Sequence, residues 1–269
     1  MRHPRLIAGT PPLVAVAHGS ADPRAAGCVG DLLGLVRERA AARGLTDLDV
    51  RTAFLGHAPP SPGQVLGAIV TGPVVVLPLL LTAAYHSKTD IPALLGEARR
   101  AHPRLRISYG GTLGPHPLLL RALSRRLGDA IRDAGCAPAA GPGAGPGGMS
   151  VVLAAAGSSD PAANATIARL AARWQAAEGW RAVIPAYASA ASPTPAEAVR
   201  ALAPSGPVAV ATYLLAPGFF ADRVRREALD AGAAAVSDAL GAAPEVADVV
   251  LDRYLAAAAQ AEQVQRAAI

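Results

Sequence analysis

Short apolar runs and amphipathic stretches alternate along this chain at a regular spacing. Leu13–Ala17 and Val74–Leu79 are brief and wholly apolar, as strands buried on both faces of a parallel sheet must be, while Val50–Leu55 and Leu105–Tyr109 are equally brief but each carry one arginine and one serine or threonine. Helical periodicity fills the gaps, over residues 25–43, 62–69, 91–101 and 117–134, with Pro62 and Pro117 placed as first-turn prolines. Strands separated by helices of this length predict parallel βα units with right-handed crossovers.

The stretch APAAGPGAGPGG (137–148) interrupts this pattern, and its small, turn-prone residues read as a linker. The alternation then restarts. Strands are predicted at Val151–Ala155, Ala182–Tyr187, Val208–Tyr213 and Ala234–Val236, with helices over 164–177, 195–202, 221–231 and 244–265. The expected organisation is an N-terminal α/β domain (1–136), a linker (137–149) and a C-terminal α/β domain (150–269), each with a parallel sheet of about four strands flanked by helices.

The restart is an internal repeat. HGSADP (18–23) lines up with AGSSDP (156–161), and FLGHAPPSP (54–62) with YASAASPTP (187–195). LLLTAAYHS (79–87) lines up with YLLAPGFFA (213–221), and LGPHP (113–117) with LGAAP (240–244). The matches keep their order, so the two domains read as copies related by duplication.

The copies differ in their histidines. His18, His57, His86 and His116 face Ala156, Ala190, Phe220 and Ala243 in the second repeat. Each follows a predicted strand, which places all of them at the carboxyl edge where open α/β sheets bind ligands. Imidazoles gathered at one edge read as a metal site or an acid–base site. Nearby, Gly19 and Ser20 can offer a turn with N–H groups and a hydroxyl, and Gly110–Gly111 allows close backbone approach. Tyr85 and Leu81 read as an apolar pocket wall or as core. Asp22, repeated as Asp160, reads as a turn or helix cap, and Asp90 as a cap.

Composition narrows the function classes. At 52% hydrophobic and 17% charged the chain can fill a large core, and Cys28 and Cys136 are too few for a disulfide framework. The charge is lopsided: residues 1–136 hold 16 basic and 9 acidic side chains, and the remainder 9 and 11. Only the first repeat has reason to attract an anion, with Arg24 and Lys88 the cations nearest the histidines in sequence. The arginines are scattered and not interleaved with aromatics, so no nucleic-acid partner is expected. No apolar run suits a membrane span, and Pro11 and Pro12 interrupt the N-terminal apolar stretch, so a cytoplasmic protein is expected. There is no P-loop, no GxGxxG after the first strand and no GxSxG elbow, so nucleotide-driven and serine-hydrolase chemistry find no support.

The strand followed by HGS, the segment PLLLTAAYHSKTDIP (78–92) and LGPHPLL (113–119) resemble the sirohydrochlorin cobalt- and ferrochelatases of the class II chelatase superfamily, in their long, internally duplicated form. The resemblance implies two ferrochelatase-like domains and ATP-independent insertion of Co²⁺ or Fe²⁺, with Ni²⁺ a further candidate, into a tetrapyrrole on a route to cobalamin or sirohaem. It carries catalytic and metal-binding roles onto His18 and His86, with His57 and His116 as further candidate ligands. Gly19, Ser20, Tyr85, Lys88, Gly110 and Gly111 are the expected substrate contacts, and a monomer with an internal pseudo-dimer is the expected assembly. One position departs from the family pattern: where a glutamate is usual at the end of the second strand, this chain has Gly56 followed by His57. Successive strand residues point to opposite faces, so His57 can replace that carboxylate only if the strand has already ended or bulged. Two other readings stay open: a metal-carrier or tetrapyrrole-binding protein on the same scaffold, and a chelatase-like enzyme with another metal or metallophore.

Overall fold

The computed structural model describes residues 10–136 and 148–267. Most of the expected linker lies outside them. Met149, at its end, is buried in the core.

The first repeat runs β1 (Leu13–Ala17), α1 (Pro23–Ala42), β2 (Val50–Phe54), α2 (Pro62–Ile69), β3 (Gly72–Pro78), a π-helical turn (His86–Asp90), α3 (Ile91–Ala101), β4 (Leu105–Tyr109) and α4 (Pro117–Asp133). The second runs β5 (Ser150–Ala155), α5 (Pro161–Glu178), β6 (Ala182–Tyr187), α6 (Pro195–Leu202), β7 (Val208–Tyr213), α7 (Phe219–Asp230), β8 (Ala235–Val236) and α8 (Pro244–Ala267). Each forms a four-stranded parallel sheet, ordered β2-β1-β3-β4 and β6-β5-β7-β8. In the first sheet Leu13 pairs with both Val50 and Val75, so β1 is central and the chain reverses direction across it.

Local chemistry repeats with the topology. Asp22 and Asp160 cap α1 and α5, each followed by a first-turn proline, so these helices start two to three residues before the positions expected from periodicity. Ser61 with Gln64, and Thr194 with Glu197, close capping boxes on α2 and α6. Gly19 and Gly157 both adopt φ +86°, and a Cβ on either would overlap the carbonyl of Gly56 or Ser189. Only glycine lets the loop after the first strand of each repeat cross so close to the loop after the second.

The strand residues alternate between two cores. Val14, Val16, Val74 and Val76 face α2 and α3; Leu13, Ala15, Val75 and Leu77 face a larger core that both repeats share. That shared core contains α1, α4, α5 and α8. The last helices are exchanged within it: α4 lies on β7 and β8 of the second sheet, and α8 on β3 and β4 of the first. Leu119, Leu123 and Leu127 of α4, and Val246, Val250 and Tyr254 of α8, are completely buried. Tyr254 donates its hydroxyl hydrogen to the carbonyl of Pro11 at 2.7 Å, at the entry to β1. Trp174 of α5 donates to Ser124 of α4 at 3.0 Å. Charge follows the same seam. Arg39 of α1 pairs with Asp248 of α8, Arg43 reaches Asp248 and Asp252, and Arg125 of α4 holds Glu245 at 2.9 Å. Among the described residues no helix is long and apolar enough to cross a membrane.

The exchange leads to two expected outcomes. A chain cut to residues 1–136 loses α8 from its sheet and leaves α4 with no sheet to cover, so it is expected to have no stable monomeric fold. A cooperative urea transition in a monomeric fragment would contradict this. The second outcome concerns acid. Arg39 holds the Asp248 carboxyl below the usual carboxylate range, and Arg125 does the same for Glu245. Their folded pKa values lie below the unfolded ones, so their contribution is complete above about pH 5 and is lost as pH falls through about 4 and below. Thermal unfolding against pH should fall in that window, and Asp248→Asn should flatten the fall; an unchanged profile would remove Asp248 from the account.

Candidate functional site

The reversal of strand order falls between β1 and β3, so their carboxyl ends open a crevice at the switch point of the sheet. His18 leaves the end of β1, and His86 opens the π turn reached from β3. Their Nε2 atoms approach to 3.1 Å, with the rings edge to face.

The partners of the other ring nitrogens decide what those Nε2 atoms can do. His18 Nδ1 lies 3.1 Å from the carbonyl oxygen of Gly19, and His86 Nδ1 lies 2.6 Å from a carboxylate oxygen of Asp90. Both partners are acceptors, which assigns the ring proton to Nδ1 in each imidazole. In the neutral state each Nε2 is then a lone pair, and the two lone pairs face each other. Such a pair is satisfied by one shared proton or by one cation. Two nitrogens 3.1 Å apart can both reach one ion at about 2.0–2.1 Å, the usual length of an imidazole–metal bond.

The π turn makes this arrangement. It holds His86 and Asp90 four residues apart on one turn, and the Ile91 N–H closes it on the His86 carbonyl. Tyr109 donates to the Ser87 carbonyl at 3.0 Å, and the Ser87 hydroxyl donates to the Ala84 carbonyl at 2.9 Å. Burial pushes the Tyr109 phenol up to about 12, so it stays a donor at neutral pH. In the second repeat Ala156, Phe220 and Val224 take the places of His18, His86 and Asp90. There α7 starts directly as an α-helix.

A groove of about 390 Å³ opens beside the pair, lined by His18, Gly56, His57, His86, Asp90 and Glu97 among others. The second strand ends at Phe54, so the condition on His57 is met: it sits in the following loop, at φ +64°, and turns into this groove. The Gly56 N–H bonds the His18 carbonyl at 3.2 Å, which ties the two loops together.

Several expected site residues lie elsewhere. His116 does not join the other imidazoles. It caps α4, with Nδ1 accepting from the Leu118 N–H at 3.2 Å and Nε2 4.0 Å from Asp252. The physical reason is the helix exchange, which carries the β4–α4 connection away from its own sheet. Desolvation, with Arg253 nearby, lowers the His116 pKa. Gly110 is buried against Leu77 and Ala257 of α8, where a Cβ would come within 2.7 Å of Leu77, so it makes room for packing and not for a ligand. Gly111 is exposed and outside the groove. Asp90 makes no cap bond on α3; its carboxylate goes to His86. Ser20 accepts the Asp22 N–H at 3.1 Å in a turn, and Gly19 serves the loop crossing.

Lys88 reaches across to Asp160 of the second repeat at 2.8 Å, and Arg24 joins Asp22 to Asp222 at 2.5 Å each. Tyr85 and Phe219, equivalent in the two repeats, are 63% and 69% exposed and therefore available to a flat ligand. The place of Glu97 in the groove and the contact of Asp90 with His86 were not among the sequence expectations. The signal was present, since residues 86, 90 and 97 lie at helical spacing on one stripe. Among the described residues no group of three or more His, Cys, Asp or Glu side chains is gathered to hold a metal ion.

Comparison with known proteins agrees with this architecture. The sirohydrochlorin ferrochelatase of Bacillus subtilis (strain 168) is 28% identical over 195 residues, 70% of each chain. A sirohydrochlorin cobaltochelatase of Priestia megaterium is 30% identical over 124 residues, 45% of this chain and 38% of its own. The solved structure of SirB from Bacillus subtilis with Fe3+ superposes with a TM-score of 0.77 at 25% identity, over 94% of this chain and 98% of that one. The family model CbiX matches twice, over residues 12–130 and 150–257, once per repeat, and the chain belongs to the CbiX family.

Proposed function

We propose that this protein is an ATP-independent chelatase that inserts a divalent ion, Co²⁺ or Fe²⁺, into sirohydrochlorin. The observation that carries the reading is the convergence of the His18 and His86 Nε2 lone pairs on one point. The names of the relatives support the substrate and the two metals. The product would enter the cobalamin or sirohaem route, and a monomer is the proposed working form, because the repeats already meet as a pseudo-dimer.

The reaction exchanges two pyrrole N–H protons for one M²⁺. On this reading His18 and His86 hold the incoming ion through Nε2, with the rest of its coordination sphere open to the macrocycle nitrogens. As the ion leaves for the ring, one departing proton is shared between the freed Nε2 atoms and the second passes to water. Asp90 is a positioning residue: it keeps the His86 proton on Nδ1 and stabilises the imidazolium that forms. His57 and Glu97 both line the groove and supply ligand atoms on the metal's approach, taking the part of the glutamate that Gly56 replaces.

His18→Ala and His86→Ala should each abolish the absorbance change that follows anaerobic mixing of sirohydrochlorin with Co²⁺ or Fe²⁺, while far-UV circular dichroism is unchanged. Wild-type rates in both variants would sink the assignment. Asp90→Asn should weaken Co²⁺ binding by about 10–100-fold, read from the cobalt d–d spectrum, with partial rescue by Asp90→Glu. A full-strength cobalt spectrum in Asp90→Asn would return Asp90 to a structural role. Gly56 in the place of the family glutamate favours one other reading, a metal carrier. Wild-type protein that binds Co²⁺ and gives no acceleration over the metal-only background would identify it.

A further inference from the structure

Two cations flank the histidine pair, and both are engaged by carboxylates of the opposite repeat. Lys88 lies in the same π turn as His86, and its Nζ contacts Asp160 at 2.8 Å. Arg24 stands in the first turn of α1, just beyond the loop that starts at His18. Its Nε and Nη2 hold Asp22, and its Nη1–Nη2 edge faces Asp222 at 3.5 and 2.5 Å. The repeat alignment sets Asp222 opposite Lys88 and Asp160 opposite Asp22. The pseudo-twofold therefore yields one Lys–Asp contact and one place where two aspartates converge, with Arg24 between them.

These cross-repeat pairs are weakly held. The Lys88, Arg24 and Asp222 side chains are each about half exposed, and solvent screens such contacts strongly. Neither aspartate needs its cation to be satisfied. Asp160 keeps its cap bond to the Ala162 N–H through the other oxygen, and Asp222 is open to water. The edge of Arg24 that faces Asp222 is the fork that takes any carboxylate in a two-point contact.

We propose that Lys88 and Arg24 are a paired receptor for peripheral carboxylates of a polycarboxylate macrocycle, and that Asp160 and Asp222 are resident carboxylates which the ligand displaces. The proposal rests on the tetrapyrrole reading above and adds to it an internal competitor. Displacement moves no covalent bond: each cation exchanges one carboxylate partner for another, and the released aspartate is hydrated. Because both aspartates belong to the second repeat and both cations to the first, ligand entry also unties the repeats at this rim, while the buried helix exchange still joins them.

A simple latch and an internal competitor make opposite predictions for removal of the aspartates. Asp160→Asn and Asp222→Asn keep shape, and asparagine still caps α5. The test is equilibrium binding without metal, by fluorescence quenching of uroporphyrin I, which carries two carboxylates on each pyrrole, with coproporphyrin I, which carries one, beside it. The double asparagine variant should bind uroporphyrin about three- to tenfold tighter than wild type, with a steeper salt dependence. Lys88→Ala with Arg24→Ala should bind it about tenfold more weakly and lose most of the preference over coproporphyrin. Equal or weaker binding by a folded double asparagine variant would overturn the competitor and leave a latch. Failure of wild type to bind either porphyrin would instead overturn the tetrapyrrole reading, and this proposal with it.

Discussion

The structure depends on the exchange of its two last helices. Each sheet needs an apolar cover on its inner face, and each takes that cover from the other repeat: α8 on β3 and β4, α4 on β7 and β8. A helix that buries Leu119, Leu123 and Leu127 on a foreign sheet cannot leave without opening that sheet to water. The repeats are thus locked at their inner layer by the hydrophobic effect. At the rim they touch through exposed ion pairs, which solvent screens strongly. Rigidity inside and looseness at the edge follow from the same connectivity, and the chemistry sits at the edge.

The lock also decides which histidines can meet. Strand order 2-1-3-4 puts the ends of β1 and β3 side by side, about 4.8 Å apart, and His18 and His86 grow from those ends. His57 follows the neighbouring strand and remains within the groove. His116 follows β4, but the chain there is already turning toward the second sheet, so its imidazole is spent on capping α4. Four histidines at one edge in the sequence become a close pair, a groove neighbour and a cap.

Much of this was legible from residue pattern. Apolar runs located every strand, and the aligned segments located the duplication, because buried parallel strands and glycine- or proline-bearing turns leave strong one-dimensional marks. The exchange left none: the apolar stripes of α4 and α8 state that one face is buried and are silent about which sheet buries it. The π turn was equally hidden. One extra residue in a turn changes no hydrophobic period, although the four-residue spacing of His86 and Asp90 was itself a visible sign of their pairing. The Gly110–Gly111 pair misled for a related reason, since a glycine that admits a ligand and one that admits Ala257 of a crossing helix look alike in sequence.

The asymmetry of the repeats has its own logic on the chelatase reading. A flat macrocycle presents two faces, and metal need arrive at only one. Imidazoles on both sides would ligate the inserted ion axially from above and below and hold the product in place. Here Ala156, Phe220 and Val224 stand where His18, His86 and Asp90 stand in the first repeat, so the second repeat offers apolar surface and no ligand atom at those positions. The exposed Phe219 and Phe220 rings can pack on a π-system without bonding its metal. On that reading the second repeat, lacking the polar trio, leaves a face from which a metallated ring can depart.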